Sequence, residues 1–293
     1  MSTLGSSEIL WQDIRYAVRT MRRNPAFTSV AVFALALGIG ANTAIFSVVD
    51  AVVLKPLPYP DPGRLTLLWG NVKRAKIERR GASYPDFVDW RTQSKSFEDM
   101  AGYSGVSFTM TGGDEPERMN GEYVSASYFP LLRVSPVIGR TFLASEDEVP
   151  MRDPVVILSE GLWKRRFGAD PGILGKSIHT STRSYIVVGV MPPGFRGITD
   201  TAEVWVPFMM SGPAEDLAQR GDRGMGVLAR LKPGIPLTQA QLELDAICRG
   251  LERHYPATNE ARGVEVAQLD REIFGDIRPA VLALLGAVAF VLL

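Results

Sequence analysis

The sequence predicts an α+β protein anchored in a membrane. It reads as one N-terminal transmembrane helix, a large α+β domain of two subdomains, and the start of a second transmembrane helix. Three observations carry this. Residues 25–49 hold no charged side chain, residues 279–293 hold none either, and the stretch between them alternates strand and helix patterns with charges of both signs. The 293 residues suffice for one large or two small domains. The 32 Lys+Arg balance the 32 Asp+Glu, so the basic excess of a dedicated nucleic-acid binder is absent. One cysteine, Cys248, leaves no intramolecular disulfide and no Cys-rich metal site, and the two histidines, His179 and His254, offer little for a zinc centre.

Residues 8–23 place Leu10, Trp11, Ile14, Val18 and Met21 at helical spacing, with Arg15, Arg19, Arg22 and Arg23 mostly off that face. That is the pattern of a helix lying in a membrane interface, and it sets residues 1–24 apart as a cytoplasmic amphipathic helix. Residues 25–54 read as the first span, because about 20 mostly apolar residues cross a hydrocarbon core of ~30 Å. A buried core helix rarely runs so long without a charge. A cleaved signal peptide fits poorly, since its apolar region is about 7–15 residues and this one runs on into Asp50, Lys55 and Pro56. Four arginines precede the span, whereas Lys55 after it is offset by Asp50. The positive-inside rule then puts the N-terminus in the cytoplasm and the chain beyond residue 55 outside. Within the span Gly38, Gly40, Asn42, Thr43, Ala44 and Ser47 are small or polar. Pairs such as Gly40/Ala44 and Thr43/Ser47 let a second helix approach and offer it hydrogen bonds, so these six are the candidate helix-packing and coupling positions. Residues 279–293, PAVLALLGAVAFVLL, have no polar face. At 1.5 Å per residue they cover about 22 Å, so residues 276–293 read as the start of a second, truncated span of a longer multi-span protein.

The domain between the spans covers residues 55–275. Leu65 to Trp69 reads as a strand. Ser83-Tyr84-Pro85-Asp86 reads as a helix start followed by Phe87, Val88 and Trp90. A short helix is expected at Phe97 to Tyr103, then a strand through Val106, Phe108 and Met110, closed by Gly112-Gly113. Late in the domain Val227 to Leu231 is a strand, Thr238 caps a helix carrying Ala240, Leu242, Leu244, Ile247, Cys248 and Leu251, and Val264 to Leu269 is a strand. Two strand-helix-strand units on one sheet make an α+β layer. Residues 125–210 have a different texture. Val155 to Leu158 is a strand, Ser159 caps a helix that Gly168 stops, and short strands follow at Ile178, Tyr185 to Val190 and Val204 to Val206. This block reads as a β-rich subdomain inserted between residues 55–124 and 211–275.

The motifs of chemistry are missing or broken. Gly172-Ile173-Leu174-Gly175-Lys176-Ser177 ends like a phosphate loop, but Asp170 stands where the first glycine is needed, Pro171 removes an amide, and a helix precedes it where a strand is required. No G-x-S-x-G elbow is present. Glu146-Asp147-Glu148 lacks calcium-loop spacing and is expected to be a solvated loop. Asp86 and Asp89 share a helix face, and Lys164-Arg165-Arg166 is expected to be the wet face of its helix. The site assignment is therefore no catalytic residue, no cofactor ligand and no metal ligand.

The segment from Phe27 to Trp69, with SYPDFVDW at 83–90, GRTF at 139–142, Val155 to Gly168 with Asp170-Pro171 and Gly175, and VVGVMPPGF at 187–195, resembles MacB/FtsX-type ABC transporter permeases. The likeness is to the duplicated "orphan" permease subgroup with a MacB-like periplasmic core domain, and it covers about residues 11–293. It implies a permease subunit of the bacterial inner membrane with the central domain periplasmic, its first subdomain porter-like. The implied partners are a separate or fused ABC ATPase that binds the ATP, the remaining permease helices or a second permease copy, and membrane lipid. Export or envelope processes driven by coupled motion would follow, without bond-making chemistry in this chain. A signal-anchored periplasmic binding or sensor module is the alternative, and an anchored hydrolase is disfavoured by the missing motifs.

Overall fold

In the computed structural model the chain divides into two units, residues 1–56 with 274–293, and residues 57–273. The structure describes residues 6–49, 57–72, 77–112, 115–275, 283 and 286. The expected exit of the first span at 50–56, Gly113, and the expected second span apart from Ala283 and Gly286 lie outside the described residues.

The first unit holds α1 (Ser6–Arg23) and α2 (Pro25–Val49). They meet at Asn24 for a reason readable in the sequence. Pro25 has no N–H, so the Met21 carbonyl four residues before it loses its helical donor. The Thr28 hydroxyl, 2.8 Å from that carbonyl and 2.9 Å from the carbonyl of Asn24, takes the vacant place. Apolar side chains of α2 are turned outward, Phe27 at 78% and Ile39 at 65% exposure. Among the described residues no helix is long and apolar enough to cross a membrane. The stretch of α2 with continuously described side chains, residues 25–40, falls short of the roughly 20 a span requires, although the charge-free run continues to Val49.

The second unit runs β1 (Leu65–Val72), β2 (Ile77–Arg80), α3 (Tyr84–Gln93), β3 (Phe97–Thr111), β4 (Glu117–Val124), α4 (Tyr128–Leu132), β5 (Ile138–Gly139), β6 (Val155–Leu158), α5 (Glu160–Phe167), β7 (Ser177–Thr180), β8 (Ser184–Val190), β9 (Val204–Pro207), α6 (Ala214–Leu217), β10 (Gly226–Leu231), α7 (Leu237–His254), α8 (Pro256–Asn259), β11 (Arg262–Gln268) and α9 (Leu269–Phe274). The described strands form one sheet in the order β11-β1-β10-β3-β4-β9-β6-β8-β5, with β2 on β1 and β7 on β3 and β8. All pairings are antiparallel except β4–β9 and β6–β8. The units β1-α3-β3 and β10-α7-β11 interleave, so that the last strand lies beside the first and the third beside the second. This is the split βαβ arrangement, and everything between β3 and β10 is inserted into it.

Helices α3 and α7 cover one face of this part, packing Phe87, Trp90, Leu244, Ile247 and Leu251 on Met100, Val227 and Val266. A second core gathers the far halves of β3 and β4, through Phe108, Met110 and Met119, with Val156, Leu162, Val187 and Val204. Tyr123 packs against both cores, and the short turn Phe208–Met210 gives Phe208 and Met209 to the first and Met210 to the second. The two cores are therefore joined by the long strands β3 and β4 and by that turn.

Two local expectations are corrected. Phe97 to Tyr103 is strand, not helix. A bulge between the pairs Arg230↔Asp99 and Leu231↔Phe97 sets Phe97 and Met100 on the same core, and this three-residue spacing imitates a helical stripe. Thr238 does not cap α7, because the helix begins at Leu237 with the extended residue Pro236 in the capping place. Ser83 and Ser159 do cap α3 and α5, accepting from the amides of Asp86 and Leu162. Gly168, at φ 60, stops α5 in the left-handed conformation that glycine adopts without strain.

Candidate functional site

The six candidate coupling positions all lie on α2. A Cβ added at Gly40 meets nothing within 4 Å, so in this chain the position is open to a neighbour. Thr43 turns its hydroxyl onto the Ile39 carbonyl at 2.8 Å. Gly38 is half-buried and lies two residues before Gly40. The side chains of Asn42, Ala44 and Ser47 lie outside the described residues.

In the second unit three arginines hold the segment that leads into β1. Arg230, on β10, is 1% exposed. Its Nε donates to the Leu131 carbonyl at 2.8 Å and its Nη1 to those of Pro60 and Asp61 at 2.9 and 3.3 Å. Arg64 donates to the Leu231 carbonyl at 2.8 Å and pairs with Glu98. Arg133, from the end of α4, pairs with Asp61 at 2.8 Å and Glu98 at 3.4 Å. Burial, then the neighbouring Arg133 and Arg64, lower the Arg230 pKa. Carbonyls that would need solvent are instead tied to a guanidinium rooted in the central sheet, which fastens Pro60 and Asp61 to β10.

A second clamp centres on Glu122 of β4, which is fully buried. Its carboxylate accepts from Tyr128 Oη, Trp205 Nε1 and the Thr199 amide, each at 2.8 Å. The Tyr128 hydroxyl in turn accepts from the Ile198 amide at 2.8 Å. Burial first, then Glu122, push the Tyr128 hydroxyl well above its ordinary pKa. Gly197, at φ +74, lies so close to the carboxylate that a Cβ would strike it. Around the clamp Phe129, Phe142, Phe195 and Trp205 form an aromatic cluster, with Phe195 and Trp205 centroids 5.1 Å apart. Three satisfied acceptor contacts make the buried charge tolerable and fasten the loop from Pro192 to Ala202 on the sheet.

A third contact sits where the two cores meet. Glu146-Asp147-Glu148 is not the solvated loop expected. Glu146 is buried, pairs with Arg140 and accepts from the Leu143 amide. Asp147 accepts from the amides of Ala126 at 2.9 Å and Met209 at 3.3 Å, and burial raises its pKa to about 6, against the lowering effect of those amides and of Arg91. Lys164 and Arg165 lie on the exposed face of α5, as expected, and Arg165 bridges Glu117 and Glu203 there.

Other sequence candidates resolve into structural roles. Asp86 and Asp89 both pair with Arg220, and Asp86 also takes Arg223 and the Asn259 amide. Lys176 pairs with Asp170, whose other oxygen caps the Gly172 amide, so the phosphate-loop lookalike is a tied turn. Cys248 is buried in the first core. Among the described residues no group of three His, Cys, Asp or Glu could hold a metal. Sequence reading missed Arg230 and Glu122. The only hint was a charged residue inside an otherwise apolar strand at Val227-Leu228-Ala229-Arg230-Leu231, and Glu122 carried no comparable signal.

A family model described as the MacB-like periplasmic core domain matches residues 28–247. Similar solved structures include the following three. The periplasmic region of MacB from Actinobacillus actinomycetemcomitans is 14% identical, with 71% of this chain and 89% of that chain covered at a TM-score of 0.52. A domain of a putative permease protein from Porphyromonas gingivalis is 16% identical, covering 72% and 92% at 0.54. The extracellular domain of the noncanonic ABC-type transporter YknZ from Gram-positive bacteria is 17% identical, covering 68% and 98% at 0.50. At these identities the structures speak to the fold. None of the curated proteins matches.

Proposed function

This chain belongs to the family of MacB-like periplasmic core domains, and from that premise we propose that it belongs to a permease subunit of a MacB/FtsX-type ABC transporter. The observation that carries the reading is where the family match begins. It starts at residue 28, inside the charge-free α2, and continues through the α+β domain, so helix and domain are one unit of the family.

In this reading α2 crosses the bacterial inner membrane, α1 lies at its cytoplasmic face with Arg15, Arg19, Arg22 and Arg23, and residues 55–275 are periplasmic. Residues 55–124 with 211–275 contain the porter-like subdomain, and residues 125–210 are the bulk of what is inserted between β3 and β10. A partner ATPase binds the ATP and supplies the motion. This chain makes and breaks no bonds. The arginine clamp on residues 60–64 supports a mechanical role, because it ties the segment leading into the domain to the centre of the sheet. Gly38, Gly40, Asn42, Thr43, Ala44 and Ser47 are where a further permease helix or a second copy packs.

Alkaline extraction of membranes from cells expressing the chain tests the span. The wild type is expected to stay with the membrane, and Leu35→Arg with Ile39→Arg to be released, since each arginine at mid-bilayer costs about 2.5–3.5 kcal/mol. Release of the wild type would remove the membrane reading.

A further inference from the structure

We propose that the groove between α1 and α2 is a binding site for one anionic phospholipid, with an acyl chain in the groove and the headgroup phosphate at Arg19 and Arg23. The proposal rests on the membrane reading above and adds the identity of a ligand to it.

The groove has a volume of ≈ 510 Å³ and is walled by Ala17, Met21, Phe27, Ala31, Val32 and Leu35, within the range of about 300–1,000 Å³ typical of small-molecule sites. Tyr16, Thr20, Asn24 and Thr28 complete the lining, and the two threonine hydroxyls are turned onto backbone. The Thr20 hydroxyl bonds the Tyr16 carbonyl at 3.0 Å, and the Thr28 hydroxyl bonds that of Met21, so their hydrogen-bonding capacity is engaged by backbone. A hydrocarbon chain suits such a lining, and water would find few partners there.

The two helices that wall the groove differ in charge, and the arginines of α1 lie beside its lining and not on it. Arg19 and Arg23 are one turn apart on α1, each three residues beyond a groove-lining residue, Tyr16 or Thr20, and residues at that spacing are helix-surface neighbours. Both are exposed, and among the described residues neither pairs with a carboxylate. The α2 side, from Pro25 to Val49, carries no charge at all. A ligand that complements this has a long apolar body and a negative head, and basic pockets beside cytoplasmic helix ends bind acidic lipid headgroups. The break at Asn24, stabilised by Thr28, fixes the two helices at the junction where head and tail must diverge.

The test uses the full chain purified from membranes in mild detergent, offered phosphatidylglycerol or phosphatidylcholine, with retained lipid counted by native mass spectrometry. Wild type is expected to retain phosphatidylglycerol in preference to phosphatidylcholine. Arg19→Gln with Arg23→Gln should lower phosphatidylglycerol retention about twentyfold, since each cation near an anionic headgroup contributes about fivefold. Ala31→Trp, which fills the groove and keeps the charges, should lose the retained lipid. Equal retention of the two lipids by wild type, or no change in the double arginine variant, overturns the proposal. A detergent-stable dimer that Ala31→Trp abolishes, with lipid retention unaltered, also overturns it and assigns the groove to a second copy. Alkaline extraction separates the two readings. A chain released by alkali refutes the span, whereas a chain that stays in the membrane without lipid preference refutes the lipid site alone.

Discussion

The helical unit and the α+β unit treat charge in opposite ways. Over the 25 residues of α2 there is no charge, and Phe27, Val30, Leu35 and Ile39 stand 64% exposed or more. In the 57–273 unit Glu122, Asp86 and Arg230 are buried at 1% exposure or less, and each is held by several hydrogen bonds. Apolar surface without charge requires a partner other than water. Buried charge requires protein partners supplied by distant parts of the chain. The described part of the first unit thus presents apolar surface outward, whereas the second satisfies its buried charges from within, a contrast in keeping with the proposal that α2 crosses a membrane.

Removing a buried charged group, which leaves its partners unsatisfied, should break this contrast most severely. Glu122→Ala leaves Tyr128 Oη, Trp205 Nε1 and the Thr199 amide without an acceptor and should destabilise the domain by about 4 kcal/mol, read by urea unfolding. Glu122→Gln keeps one acceptor oxygen and should cost less. Arg230→Met keeps the stem and frees three carbonyls, so a loss of about 3 kcal/mol is expected, together with faster protease cleavage near residue 61. Intact protection there would remove the clamp from the account.

Asp147 gives a smaller, pH-dependent effect. Its folded pKa of about 6 lies above the ordinary 3.8, so the folded state holds the proton more tightly than the unfolded one. Its contribution to stability is fully present below about pH 4 and is lost as pH rises through about pH 6. The stability of wild type relative to Asp147→Asn should therefore fall by about 2 kcal/mol between about pH 4 and about pH 7. A difference that is flat with pH would place this carboxyl in solvent. The smallest effect belongs to the helical unit. Thr28→Val removes the hydroxyl that replaces the missing Pro25 amide and should cost about 1 kcal/mol of helicity at the junction, measured by hydrogen exchange at residues 21–28, with Thr28→Ser restoring it.

What could be read from the sequence was local. The charge-free helix, the serine caps before α3 and α5 and the glycine that stops α5 depend on residues within a few positions of one another. So do the strands β6, β8 and β9, whose apolar runs end at turn residues. What escaped depends on partners far along the chain. Trp205 meets Glu122 across 83 positions and Pro60 meets Arg230 across 170, and no spacing rule links such pairs. The first half of β3 escaped for another reason, because a bulge gave a strand the spacing of a helix. The candidate coupling positions on α2 rest on residue type alone, and the open space at Gly40 does not assign them a role.

In the proposed arrangement α2 separates a cytoplasmic N-terminus from an external domain. Reporter fusions at residues 20 and 150, one active only in the cytoplasm and one only outside it, test this directly. The account predicts cytoplasmic activity at residue 20 and external activity at residue 150. Activity on the same side at both positions would contradict it.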